Sequence, residues 1–169
     1  SSSFASLIIG LIVAVFCFGV FIYTAHHNLQ ACAAEDLEKA KHLKASGTNA
    51  FRNSDWSGAS DCYADAIGIL LDSDFRAPSG RQVEVDALLS SCLLNRSACA
   101  IRLGEWALAE SCCNWVLERD ATNVKALWRR GHAAMELDKY HTAKADLVAA
   151  SKLDPKLRDV RDLYETCKV

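Results

Sequence analysis

Lys44, Asn95, Arg102, Lys125 and Arg129 are the side chains whose types and spacing suggest chemistry in this chain. Lysine and arginine give charge-assisted hydrogen bonds to oxyanions, and arginine does so in a fixed fork. Lys125 and Arg129 lie four residues apart, on one face of any helix that carries them. Such a set captures an anion; it does not make or break bonds. No phosphate-cradling glycine loop, no Gly-x-Ser-x-Gly elbow and no His-Glu-x-x-His helix is present. His26 and His27 are adjacent, so they do not share a helix face, and His132 is read as a ligand contact or a neutral filler. An enzyme, a cofactor and a metal site are therefore not expected. A net charge of -2 also argues against general affinity for nucleic acid.

The elements that position these residues are given by a repeat. Gly104-Glu105-Trp106 is followed 34 residues later by Asp138-Lys139-Tyr140, and Ala109 by Ala143 at the same offset. Cys113 to Leu147 and Val116 to Ala150 keep it. A 34-residue period with small residues at fixed places predicts paired antiparallel helices stacked into a right-handed solenoid. Gly47, Trp56, Ala59, Tyr63 and Ala66 register a first repeat at about 40–73. The second runs about 90–123 and the third about 124–157. Asp72 to Val83, rich in loop formers, is an insertion between the first two. Lys156 to Lys168 is amphipathic and reads as a capping helix, 156–168, over the open end.

In such a solenoid the first helix of each repeat lines the concave face. Positions 2, 5, 6, 9, 12 and 13 of each repeat share that face. They collect Lys41, Lys44, Arg52, Arg102, Lys125 and Arg129 against the single acid Glu136, with Phe51, Ile101, Trp128 and Met135 as apolar contacts. The expected ligand is extended and anionic.

Residues 36–169 resemble a tetratricopeptide (TPR) domain. The pieces Leu43-Lys44-Ala45-Ser46-Gly47-Thr48-Asn49-Ala50-Phe51, Leu94-Asn95-Arg96-Ser97-Ala98 and Val124-Lys125-Ala126-Leu127-Trp128-Arg129-Arg130-Gly131 resemble the carboxylate-clamp subclass of co-chaperones, immunophilins and organelle import receptors. The insertion is most similar to the immunophilin variety, though no prolyl isomerase domain accompanies it. The resemblance implies docking of an acidic heat-shock chaperone C-terminal tail. It carries Lys44, Asn95, Lys125 and Arg129 over as clamp residues and Arg102 as an accessory base. Thr48 stands where many members have Asn.

Ahead of the repeats the composition changes. No Asp, Glu, Lys or Arg occurs from Ser1 to Ala34. After a polar segment at 1–6, residues 7–25 form an uncharged apolar run. As a helix it spans roughly 28 Å, the thickness of a bilayer's hydrocarbon layer. It lacks the basic start of a secretory leader. A single transmembrane helix is expected there, with 26–35 as connector. Ser6, Gly10 and Ala14, at four-residue spacing, mark its expected helix-packing face. The missing initiating Met suggests an upstream segment. A mitochondrial membrane is the leading expectation, with the domain on the cytoplasmic-type side by its lysines.

Eight cysteines without paired spacing read as reduced thiols, mostly small core residues. The fold class is all-α: three TPR helix pairs and a capping helix behind one membrane span. The function expected is a membrane-anchored protein–protein interaction adaptor. The alternative is an accessory structural subunit of a larger membrane complex, without a peptide ligand.

Overall fold

The computed structural model describes residues 2–155, with side chains from Phe16 onward. Six helices and no strand occur among the described residues: α1 Ser2–Arg52, α2 Trp56–Leu71, α3 Gln82–Leu103, α4 Trp106–Leu117, α5 Val124–Glu136 and α6 Tyr140–Leu153. Each packs on the next, and α1, α3 and α5 also touch in series. The result is a TPR-like solenoid whose concave side is formed by α1, α3 and α5.

The three turns inside the helix pairs are built alike. Ser54, Gly104 and Asp138 each take a left-handed backbone, with φ of 62°, 74° and 58°. One residue later, Asp55, Glu105 and Lys139 donate their N–H to Ala50, Ala100 and Ala134, at 3.0, 2.8 and 2.8 Å. These bonds satisfy carbonyls that the ending helix leaves unpaired. Asp55 and Asn123 cap the next helices by accepting from Gly58 and Ala126. At the helix crossings, Ala59, Ala109 and Ala143 are fully buried. Gly47 admits the Tyr63 ring, and Gly131 the Leu147 side chain.

Two boundaries differ from the sequence expectation. Residues 26–35 are not a separate connector: they contain no Gly or Pro, and α1 runs through them unbroken. The helix α3 begins at Gln82, eight residues before the expected start at 90. Its extra turns bury Val85, Leu88 and Leu89 in one cluster with Leu37 and Ala40 of α1. Burying each large aliphatic stabilises by about 1.5–3 kcal/mol, enough to hold these turns helical. The insertion lies back on α1. Ser79 N–H donates to Gln30 Oε1 at 2.8 Å, and Arg81 pairs with Glu38 at 3.2 Å.

The expected membrane span is not supported here: among the described residues no helix is long and apolar enough to cross a membrane. The packing face Ser6, Gly10 and Ala14 lies outside the described side chains, and the capping helix 156–168 outside the described residues. From Phe16 to Tyr23 the large apolar side chains of α1 are exposed, Phe16 at 72% and Tyr23 at 70%.

Candidate functional site

The concave side carries two cavities. The first, about 630 Å³, is lined by Lys41, Lys44, Thr48, Arg52, Glu84 and Leu88 among others. The second, about 510 Å³, is lined by Phe51, Ile101, Arg102, Trp106, Trp128, Arg129 and His132 with Ala98. The sequence-derived residues thus divide: Lys44 and Thr48 in the first, Arg102 and Arg129 in the second. Asn95 is half-buried on α3 and Lys125 exposed on α5; neither lines these cavities. Met135 packs on the main core instead of the groove.

Hydrogen bonds tie these side chains together across repeats. Arg129 Nη1 donates to the Leu94 carbonyl, next to Asn95, and to Ser97 Oγ at 3.4 Å. Burial lowers the Arg129 pKa; neighbouring Cys113 and Cys99 oppose that shift. Guanidinium remains charged throughout. Thr48 Oγ1 donates to the Lys44 carbonyl at 2.9 Å and lies 3.2 Å from the Tyr63 hydroxyl.

The second cavity is aromatic. Phe51 meets Trp56 edge-on at 4.6 Å, and the Arg102 guanidinium sits 5.6 Å from the centre of the Trp56 ring. His132 lies between Trp106 and Trp128, with ring centres 5.5 and 5.8 Å away. Burial pushes the His132 pKa down, Glu136 opposing it, so it is neutral at neutral pH. Trp128 Nε1 and His132 Nδ1 are buried with no hydrogen-bond partner among the described residues. Each group left unpaired in such a setting costs about 1–3 kcal/mol.

The charge of the groove needs correction. The expected tally held one acid, Glu136. Glu84 enters the first cavity from the early turns of α3, where it bonds Lys41 at 2.6 Å and Arg81 at 2.7 Å. Lys41 also holds Glu38 at 2.7 Å. Lys41 is therefore already paired, and the bases left for a ligand begin at Lys44. Sequence reasoning missed Glu84 because the second repeat was started at 90. It missed Tyr63 as a site residue because the repeat marks that position for its size, not its hydroxyl.

Among the described residues no group of three or more His, Cys, Asp or Glu could hold a metal ion. The cysteines at 92, 99, 112 and 113 are buried and unbridged, with burial pushing Cys92, Cys99 and Cys113 up to about 11.

No family model matches the chain. A curated rat protein, FK506-binding protein-like, is 35% identical over 135 residues, covering 80% of this chain and 36% of that protein. The chain spans about a third of the length of the curated relatives it matches. Among solved structures, the C-terminal TPR-containing domain of a Plasmodium falciparum putative FK506-binding protein is similar at a TM-score of 0.76. It is 26% identical, over 80% of this chain and 90% of that one. The first TPR of Spaghetti (RPAP3), bound to an HSP90 peptide SRMEEVD, is similar at a TM-score of 0.62. Its identity is 26%, over 78% of this chain and 91% of that one.

Proposed function

From a TPR domain that resembles those of co-chaperones, we propose that this protein is an adaptor that docks the acidic C-terminal tail of a heat-shock chaperone. The observation that carries the reading is the run of basic side chains along the concave cavities: Lys44 lines the first, Arg102 and Arg129 line the second, and Arg129 is bonded to the backbone beside Asn95. The Spaghetti domain, similar in fold, is bound to a peptide ending in Glu-Glu-Val-Asp. In this reading the terminal carboxylates meet Lys44, Asn95, Lys125 and Arg129, with Arg102 assisting from its perch on Trp56. The apolar residues of the tail rest among Phe51, Ile101 and Trp128. Charge-assisted bonds at a half-exposed groove give salt-sensitive binding in the micromolar range.

The same proposal makes residues 7–25 a membrane anchor, single-pass and facing the domain to the cytoplasmic side, with a mitochondrial membrane the first choice. Its support is the uncharged stretch up to Ala34 and the exposed Phe16, Phe18, Val20, Phe21 and Ile22. At about 100° per residue these positions face all sides of the helix rather than one stripe, as a helix surrounded by lipid requires.

The test is calorimetric titration of Ser-Arg-Met-Glu-Glu-Val-Asp into the full chain in detergent micelles. Binding with a free terminal carboxylate, reduced at least tenfold by amidation of that carboxylate, supports the reading. No heat at millimolar peptide overturns it. Reconstitution of the same chain into liposomes tests the anchor: carbonate-resistant retention supports it, and release into the supernatant rejects it.

A further inference from the structure

His132 lies in the wall of the second cavity, its ring between those of Trp106 and Trp128 at 5.5 and 5.8 Å. The charge around it is of one sign. Arg102 of α3 and Arg129 of α5 line the same cavity. From α1 and α4 come Phe51 and Trp106, which do not titrate in this range, and α2 and α6 bring no lining residue. No acid lines the cavity; the acid acting on His132 is Glu136, exposed and one turn further along α5. Both guanidiniums are already engaged. Arg129 uses Nη1 on the Leu94 carbonyl, and Arg102 rests against the Trp56 ring. His132 Nδ1 is sealed in protein without a partner, so Nε2 is the nitrogen that a ligand meets.

In the empty cavity, burial and two neighbouring cations hold the imidazole neutral. Trp106 and Trp128 pull the other way, since both lie within the range of about 6 Å over which an aromatic face attracts a cation. A ligand carboxylate reverses the balance, because an opposite charge within hydrogen-bond reach favours the charged form. As imidazolium the ring donates from both nitrogens, so the added proton provides a donor at Nε2. We infer that His132 is a proton-linked anion contact: as a glutamate side chain of the docked tail enters the second cavity, the imidazole takes a proton from solvent and donates Nε2–H to that carboxylate. The inference rests on the tail-docking reading. It gives the second cavity an acid to hold beside the apolar residue that rests among Phe51, Ile101 and Trp128. Met-Glu is such a pair in Ser-Arg-Met-Glu-Glu-Val-Asp. Binding that takes up a proton tightens as pH falls.

The full chain in detergent micelles, as wild type and His132→Gln, is titrated calorimetrically with Ser-Arg-Met-Glu-Glu-Val-Asp and with Ser-Arg-Met-Gln-Gln-Val-Asp. The titrations are run at about pH 7.5 and about pH 5.5, a range in which the peptide carboxylates stay largely ionised. Two buffers of different ionisation enthalpy at about pH 6.5 count the protons taken up. Wild type should bind the Glu-Glu peptide about threefold to tenfold more tightly at the lower pH, with uptake of part of a proton. His132→Gln should show neither the gain nor the uptake, and the Gln-Gln peptide should show neither on wild type. A merely structural role for His132 would lower affinity equally at both pH values. A gain below twofold in wild type overturns the inference while tail docking stands. So does an equal gain in His132→Gln, which the exposed His26, His27, His42 and His141 would then supply, or an equal gain with the Gln-Gln peptide. If His132→Gln loses its helical circular dichroism, the Gln-Gln peptide on wild type decides in its place. Wild type that binds neither peptide overturns tail docking and this inference with it.

Discussion

Gly47 faces the ring of Tyr63 so closely that a Cβ on it would come within 2.9 Å of the ring's Cε1. The ring is fully packed and its hydroxyl is bonded, so neither partner has room to withdraw. Gly47→Ala gains helix propensity of about 1 kcal/mol, yet overpacking a fixed ring costs about 1–3 kcal/mol. The expected net is destabilisation of up to about 2 kcal/mol, read as a lower urea midpoint with an unchanged slope. Gly68, with open space at its Cβ, is the control, and Gly68→Ala should stabilise slightly.

Asp146 is buried on α6 and takes both forks of Arg130, at 2.6 and 2.7 Å, while Arg130 also donates to Asn114 at 2.9 Å. This set of bonds joins α4, α5 and α6. Removing one partner strands the other, though Arg130 is partly exposed and can turn to water. Asp146→Ala should cost about 2–3 kcal/mol by urea denaturation, below the cost of breaking a fully buried pair. Replacing both, Arg130→Met with Asp146→Leu, should cost less than Asp146→Ala alone.

The cluster Glu38, Lys41, Arg81 and Glu84 pins the start of α3 and the end of the insertion to α1. Bonds from Arg81 first, then Lys41, pull the Glu84 carboxyl from 4.5 down to about 2. A depressed carboxyl contributes stability that is present above its unfolded pKa, near 4.5, and is lost as pH falls toward 2. The melting temperature of the wild type should therefore fall between pH 4.5 and 2 more steeply than that of Glu84→Gln. Parallel curves would show that the cluster does not act on folding. The exposed setting makes the effect salt-sensitive, so the curves should converge at high ionic strength.

The sequence made the period legible because a 34-residue repeat puts small residues wherever helices cross, and these survive as Ala59, Ala109 and Ala143. It also marked the turns, since Gly104 and Asp138 share a position that needs a left-handed backbone. It hid the start of α3. Gln82 and Val83 follow Pro78 and Gly80 and look like loop, and only Leu37 and Ala40, more than forty residues away, make helix the better outcome. Glu84 was lost with that boundary, and with it the neutralisation of Lys41. The bond of Tyr63 was invisible for a different reason. Periodicity reports which face a residue occupies, whereas the contact of its hydroxyl with Thr48 depends on how α1 and α2 meet.

Lys125 and Arg129 share a helix face but differ in setting, and the difference separates two kinds of loss in tail binding. Lys125 is exposed, with water and salt competing for its charge. Lys125→Ala should weaken the peptide about tenfold at low salt, as one charged bond is removed. That gap should narrow at 0.5 M salt, where the screening length is only a few ångströms. Arg129 is half-buried and bonded to the Leu94 carbonyl. Arg129→Ala should weaken the peptide at both salts and also destabilise the fold by about 1–3 kcal/mol, since its charged hydrogen bond to that carbonyl is lost while Ser97 Oγ remains as the carbonyl's other side-chain donor. Arg129→Lys keeps the charge without the planar fork, so it should recover part of the stability but not the affinity. Measuring affinity at two salts beside the urea midpoint for each variant separates a screened surface charge from a positioned donor. Equal salt dependence for Lys125→Ala and Arg129→Ala would show that both act only as diffuse charge.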